Sequence, residues 1–310
     1  MRSGGMAIIR RSPMKKLYAT LTLLMGVCLL PSMAMAEGTV GSVFLLVGTD
    51  ARCEGMGGAC IATVKGSPAV SYNPAAMAES SGQSASFMHN ETVLDLSQEY
   101  ISYVSSYGGT AWGGSLIYFD MGSQQRYTAA NESSGSFRPK SYAFTIGYGK
   151  QANKEVSWGL AAKYVKEEID DAAGTAFALD AGLLYKPSNS NWRFAGVLSN
   201  FGTKIKVGSV SDPLPLTFKA GAAYTMPRMP LTLSTDAYFI KNADPEYHFG
   251  AEYMIANYIG VRAGYNSDDD LDNGFTFGLG FYQQQFGVDY AYIPMGVFGD
   301  SHRFTLSANF

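Results

Sequence analysis

The stretch Gly274–Phe310, GFTFGLGFYQQQFGVDYAYIPMGVFGDSHRFTLSANF, decides the fold. Large apolar residues alternate with small or polar ones almost to the last position. Phe275, Phe277, Leu279 and Phe281 share one parity, Phe286, Val288, Tyr290 and Tyr292 form a second run, and Phe304, Leu306, Ala308 and Phe310 close the chain. Between them stand Thr276, Gly278, Gly280, Gly287, Asp289, Ala291, Thr305, Ser307 and Asn309. A period of two puts successive side chains on opposite faces of a strand. Each strand therefore has one apolar face and one face that water or small groups can occupy.

A last strand that ends on phenylalanine, with apolar residues at alternate positions before it, resembles the assembly signal of bacterial outer-membrane barrels. Phe304, Leu306 and Phe310 carry that likeness, and it implies the barrel-assembly machinery as a partner. The other end of the chain agrees. Lys15 and Lys16 precede an apolar run from Leu17 to Leu30, followed by Pro31 and the small-residue site Ala34-Met35-Ala36. This pattern predicts a secretory signal peptide over residues 1–36, cleaved after Ala36, with Met14 as an alternative start. The run is shorter than the roughly 20 residues of a spanning helix.

Composition narrows the class further. The chain holds 35 glycines, 20 tyrosines and 18 phenylalanines but only 16% charged residues. After residue 36 no apolar stretch approaches the roughly 18 residues of a membrane helix, so a helical membrane protein is excluded. A net charge of −3 without a basic, aromatic-interleaved patch points away from a nucleic-acid partner. Cys53 and Cys60 are the cysteines left after cleavage; they could pair in an oxidising periplasm, but their spacing suggests neither a disulfide framework nor a metal site. No cofactor is implied.

Alternation predicts fourteen strands, at 84–93, 98–107, 110–121, 141–151, 156–169, 174–187, 192–202, 214–226, 229–240, 245–256, 258–267, 274–285, 286–296 and 301–310. Their lengths suit tilted strands that cross a bilayer in roughly 9–11 residues. The expected fold is an all-β, 14-stranded antiparallel transmembrane outer-membrane β-barrel over 84–310, its outer face against lipid. Tyr142, Phe144, Ile146 and Tyr148 are one example of the outward set, whereas charges fall on the other parity. Connections alternate between tight turns and longer loops, which is the periplasmic-turn, extracellular-loop rule of such barrels. In the long loops Phe137, Ile205, Val207, Met295, Val297 and Phe298 are unexpected apolar residues. They are either a partner surface or the underside of loops that cap the barrel mouth.

Residues 37–83 do not alternate. Asn73 is a good N-cap and Pro74 a good first helical residue, so a short helix is expected to run into Ala78. Gly55, Met56, Gly57 and Gly58 allow tight turns and close packing. A structured segment of this length is expected to fold into the lumen as a plug or hatch; the alternative is a periplasmic appendage. The run Asp50–Ala59, followed by Tyr72-Asn73-Pro74-Ala75, resembles the N-terminal signature of the FadL superfamily of fourteen-stranded barrels, and within it the PorV/PorQ group. The ending Asp289–Pro294 through Gly299–Phe304 is similar to the closing hairpin of that group. The resemblance implies one of two roles. FadL-type members take up hydrophobic small molecules past a hatch built on the Asn-Pro-Ala turn. PorV-type members serve type IX secretion and hold the C-terminal domain of exported cargo near their extracellular loops, beside secretion-pore subunits. Cys53 and Cys60 depart from the group, and residues 37–310 are short for a fatty-acid transporter.

The inward positions Lys219, Asp236, His248, Glu252, Arg262 and Asp289 form a candidate polar cluster in the lumen. They either pair with one another to close the wall or serve a ligand or gate. The acidic run Asp268, Asp269, Asp270 and Asp272 is either a solvated loop or a calcium site. Catalysis is not expected: Ser301 and His302, the nearest nucleophile–base pair, point to opposite faces of a strand.

Overall fold

A computed structural model describes residues 40–92, 96–267, 273–296 and 299–310. The predicted signal peptide, the acidic run at 268–272, and Val297 and Phe298 lie outside the described residues. The strands follow in chain order as β1 (Gly82–Glu91), β2 (Ser97–Tyr107), β3 (Thr110–Asp120), β4 (Gln124–Tyr127), β5 (Ser133–Phe137) and β6 (Lys140–Gln151). Next come β7 (Val156–Ile169), β8 (Ala172–Tyr185), β9 (Trp192–Gly202), β10 (Lys204–Val207), β11 (Val210–Pro213) and β12 (Thr217–Thr225). The last are β13 (Leu231–Ile240), β14 (Glu246–Ile255), β15 (Ile259–Asn266), β16 (Phe275–Gln283), β17 (Phe286–Pro294) and β18 (Asp300–Asn309).

Fourteen of these close into one antiparallel barrel, each beside its neighbour in the sequence, with β4–β5 and β10–β11 as separate two-stranded hairpins. Pairing of β1 with β18, from Ser84 opposite Asn309 to Glu91 opposite His302, removes both free edges. The predicted 156–169 and 192–202 coincide with β7 and β9, and the other staves differ at their ends by at most three residues. Both hairpins fall inside predicted loops. The β4–β5 pair is polar and exposed along nearly its whole length, so no buried face marked it in the sequence. The β10–β11 pair did carry a signal, a two-residue Gly208-Ser209 turn between Val207 and Val210, with Gly208 at φ 60°.

The outward parity is apolar and exposed around the wall, while the inward parity is buried. At the short-turn end, Trp112, Tyr148 and Trp158 meet in tilted ring contacts across β3, β6 and β7, and Trp192 packs on Phe194 and Tyr224 across β9 and β12. Such aromatic bands belong at a membrane–water interface. Phe304 and Leu306 lie on the same outer face, and Phe310 extends the β1 pairing through its backbone to Gln83. Leu279 stands midway along β16, 56% exposed, between Val261 and Tyr290. Leu279→Arg is therefore expected to lower barrel stability by about 2–4 kcal/mol, the midplane cost of a lipid-facing cation. A urea titration in phospholipid vesicles would measure it, and Thr305→Arg on the inner face is not the matching control, because that hydroxyl is used inside.

The packed core lies within the barrel. Residues 41–80 run along the inward faces of the strands as short helical turns at Val43–Leu45, Ala51–Glu54, Ala69–Tyr72 and Pro74–Glu79. One apolar cluster joins Val64, Val70, Tyr72 and Met77 to Val104 and Leu184 of the wall. A second, toward the long-loop end, joins Phe44 to Met88, Tyr100, Ile117 and Val165 and to Ile205 and Leu214. Inward positions of the wall are correspondingly small: a Cβ on Gly149 or Gly159 would meet the backbone of Pro74 at 2.7 and 2.3 Å, and one on Gly264 the backbone of Gly57 at 2.0 Å.

Candidate functional site

The lumen is a set of contacts between the N-terminal segment and the wall. Ala51 opens its helical turn by donating its N–H to Thr305 Oγ1 at 2.9 Å. The turn aims Arg52 at β14, where Nε and Nη2 donate to both oxygens of Glu252 at 2.8 and 2.7 Å. The same carboxylate accepts from Arg262 Nε at 2.8 Å, and Arg262 Nη1 reaches Asp289 at 2.7 Å. Tyr282 donates to Asp289 at 2.5 Å and also meets Arg262 Nη2. Glu252, Arg262 and Asp289 of the predicted cluster thus share one network, completed by Arg52. Two guanidiniums and two carboxylates in alternation offset the cost of removing each from water. Beside them, Asp50 is buried and faces Asp289, and these effects push its carboxyl up to about 6.

Asp236 and His248 do a different job. They neighbour each other across β13 and β14 and bind the backbone of the glycine turn. Asp236 Oδ2 accepts the N–H groups of Cys60 and Ile61 at 2.7 and 3.0 Å. His248 Nδ1 donates to the Gly57 carbonyl at 2.7 Å, Tyr238 to that of Gly58 at 3.0 Å, and Ser234 to that of Ala59 at 2.7 Å. Thr276 Oγ1 accepts the Gly57 N–H at 2.9 Å. Gly57 and Gly58 lie at φ 66° and 79°, in the left-handed region, and Met56 is fully buried beneath Gly250. Lys219 stands apart, with its ammonium 4.4 Å from the centre of the Tyr238 ring.

Cys53 and Cys60 are joined by a disulfide that spans this turn. Replacing both by alanine opens an eight-residue loop, so the chain-entropy model gives a local loss of about 2–3 kcal/mol. Faster amide exchange at Gly57 and Ile61, with strand amides unchanged, is the expected result.

The Asn73-Pro74-Ala75 turn seats the second half of the segment. Asn73 is extended at φ −156° and caps the 3₁₀ turn Pro74–Glu79, its Oδ1 accepting the Ala75 N–H at 3.1 Å. Its amide nitrogen donates to Ile61 O at 3.0 Å and to Leu183 O at 3.4 Å, so both ends of the side chain are in use. Glu79 then pairs with Lys186 and, at 3.8 Å, with Arg193, whose Nε holds Ala62 O at 2.7 Å. Arg303 in turn pairs with Glu54 at 2.8 Å. Arg52, Glu54, Glu79 and Arg303 were missed from the sequence. Arg52, Glu54 and Glu79 precede β1, where parity says nothing about where a side chain points, whereas Arg303 lies on the inward parity of β18 and its partner Glu54 was what the sequence did not show.

At the long-loop end the chain folds inward. A bulge between β8 and β9 puts Asn200 at φ 62°, its N–H on Asp180 at 2.8 Å and its Oδ1 on Lys163 at 2.7 Å. Lys163 also pairs with Asp180 at 2.8 Å, and Asn200 Nδ2 reaches Pro215 O at 3.1 Å. The β10–β11 hairpin leaves from this clamp and packs against β8, and Gly41 donates its N–H to Pro213 O at 2.9 Å. Ile205, one of the apolar residues read as a partner surface or a cap, is 2% exposed, and Val207, Phe137 and Met295 are half-buried. For Ile205 the capping reading holds, because the hairpin turns that side chain onto Phe44 and Leu214.

A closed fourteen-stranded antiparallel barrel with an apolar outer wall and aromatic bands defines an outer-membrane β-barrel. The model of the family described as type IX secretion system protein PorV matches residues 34–229, and the chain belongs to that family. The family is one of secretion and transport barrels rather than of enzymes. Among solved structures, the chain is similar to the Pseudomonas putida toluene transporter TodX, with 13% identity and a TM-score of 0.60 over 83% of this chain and 95% of that one. It is similar too to a Pseudomonas aeruginosa FadL homologue, with 11% identity and a TM-score of 0.57 over 84% and 98%. At these identities the likeness is one of fold. No curated protein matches the chain by sequence.

Proposed function

We propose that the protein is exported through its N-terminal signal peptide and seated in the outer-membrane lipid by the barrel-assembly machinery, which reads Phe304, Leu306 and Phe310. There it holds the C-terminal domains of secreted cargo at its extracellular mouth, beside secretion-pore subunits. The N-terminal segment acts as a hatch that keeps the lumen shut. The observation that carries this reading is the mouth itself: the in-folded hairpin covers Phe44 and Ile205, while Val43 at 56% and Val210 at 59% exposure remain open on that end. Exposed apolar residues beside an in-folded hairpin suit a protein partner better than a through-passing solute. The fold likeness to TodX supports uptake of a hydrophobic small molecule as the second reading.

The two are separated by affinity purification of the barrel from native outer membrane in mild detergent, followed by mass spectrometry. Cargo binding expects co-purifying secreted proteins that share a C-terminal domain, and their loss with Val43→Asp combined with Val210→Asp. Recovery of a hydrophobic small molecule alone, unaffected by those substitutions, would transfer the function to uptake and make Asn73 the residue to mutate.

A further inference from the structure

The Cys53–Cys60 disulfide closes a ring of eight residues, and the folded barrel encloses that ring on every side. Both cysteines, Met56 and Ala59 are 0% exposed. The cysteines pack in the apolar cluster with Val64, Val70 and Tyr72. Elsewhere the ring lies against the inner faces of β14, β15 and β16. A Cβ on Gly250 would meet the Met56 carbonyl oxygen at 2.6 Å, one on Gly264 the Gly57 nitrogen at 2.0 Å, and one on Gly278 the Gly55 Cα at 3.0 Å. Backbone groups of Gly57, Gly58, Ala59, Cys60 and Ile61 are bonded to side chains of β13, β14 and β16.

A disulfide is made or broken by a third sulfur. A thiolate attacks one sulfur of an existing disulfide, and a mixed disulfide forms on the way. The incoming sulfur must reach Cys53 or Cys60 and bring with it the molecule that carries it. In the closed barrel neither cysteine meets solvent, and Gly250 and Gly264 have no room for even a methyl group against the ring. Closure of the wall therefore stops exchange in both directions. The unfolded chain poses no such obstacle. Cys53 and Cys60 are seven positions apart, with Gly55, Gly57 and Gly58 between them, so the ring can close locally before any strand is in place.

We propose that the chain is a substrate of a periplasmic protein-disulfide donor, which oxidises Cys53 and Cys60 before the barrel closes, and that closure then locks the bond. The inference rests on the export part of the proposed function, because it needs the oxidising periplasm. One cysteine thiolate attacks the donor disulfide and displaces one donor sulfur as a thiolate. The other cysteine thiolate attacks the mixed disulfide and releases the second donor sulfur. Cys53 and Cys60 together give up two protons and two electrons, and the donor leaves as a dithiol. The finished ring then offers its backbone to β13, β14 and β16.

The first measurement is reduction by dithiothreitol of the full-length barrel in detergent, beside the same protein unfolded in urea. Samples are quenched in acid, denatured and alkylated with a polyethylene glycol maleimide, so that free thiols read as a gel shift. Reduction of the folded barrel is expected to be at least about a hundredfold slower, because exchange waits for a rare opening of the segment. The second is a pulse–chase in cells with the same alkylation at each time. The bond is expected in signal-cleaved chains that still run as unfolded on an unheated gel, and in every folded barrel from its first appearance. Equal reduction rates in the folded barrel and in urea would overturn the proposal, as would folded barrels that carry free thiols and oxidise later. Chains that keep the signal peptide, with all cysteines free, would instead fail the export reading and take this inference with it.

Discussion

A single methyl group added at Gly264 or Gly159 is expected to drive the N-terminal segment out of its seat, whereas the same change at Gly196 is expected to do nothing. A Cβ on Gly264 would stand 2.0 Å from the Gly57 nitrogen and 2.2 Å from the Met56 carbonyl carbon; one on Gly159 would stand 2.3 Å from the Pro74 carbonyl carbon and 2.6 Å from the Ala75 nitrogen. The obstructing atoms are backbone, so no rotamer change relieves the overlap. Gly196 sits on the outer face of β9 with open space around it. Overpacking a core by one methylene costs about 1–3 kcal/mol even where side chains can adjust. With main chain on both sides, the cheaper relief is for the segment to leave, because the wall is held by continuous pairing on either side of each glycine. Trypsin reads the outcome through Arg52 and Lys65: the unmutated protein and Gly196→Ala should resist cleavage there, and Gly264→Ala and Gly159→Ala should be cut while the barrel stays folded. Resistance of all three variants would mean that the segment and wall adjust together, and the close seat would lose its role as a fastening.

The same glycines show how far the sequence could be read. Parity placed all fourteen staves, and once the signal-peptide pattern and the terminal Phe310 made the apolar face the lipid face, it assigned Gly264, Gly159 and Gly149 to the inner one, because a strand with lipid on one side must keep every outward position apolar. What parity could not supply was the partner of the inner face. Asp236 and His248 looked like members of a side-chain cluster, yet each spends its hydrogen bonds on the backbone of the Met56-Gly57-Gly58 turn. Backbone groups are the same at every position, so no residue type announces them. Glu252, Arg262 and Asp289 were legible as neighbours, but Arg52, which completes their network, lies 200 residues earlier in the chain. The β10–β11 hairpin is the intermediate case. Its turn signal was present, while the inward fold that buries Ile205 depends on a bulge at Asn200 set by Asp180 and Lys163 across the sheet.

Glu252→Gln is expected to free the first half of the N-terminal segment, and to cost more than Arg52→Met at the other end of the same bond. The reason is the asymmetry of the network. Glu252 neutralises two guanidiniums, both well buried, and its loss strands Arg52 while leaving Arg262 to Asp289 alone. Removing one partner from a buried pair typically costs about 3–5 kcal/mol, most of it from the charge left unpaired. Arg52→Met strands less, since Glu252 keeps its bond to Arg262, and methionine fills much of the same volume. Combining the two substitutions should therefore cost less than the sum of the single changes, with a coupling energy of at least about 1 kcal/mol. Native-state amide exchange at Gly57, Cys60 and Ile61 reports the opening of this half of the segment without requiring the barrel to unfold. Faster exchange there with slow exchange in β14 and β15 identifies a local release. If Arg52→Met proved the costlier change, the grip would reside in the arginine's own packing and its bond to Thr63 O rather than in the charge it meets on the wall.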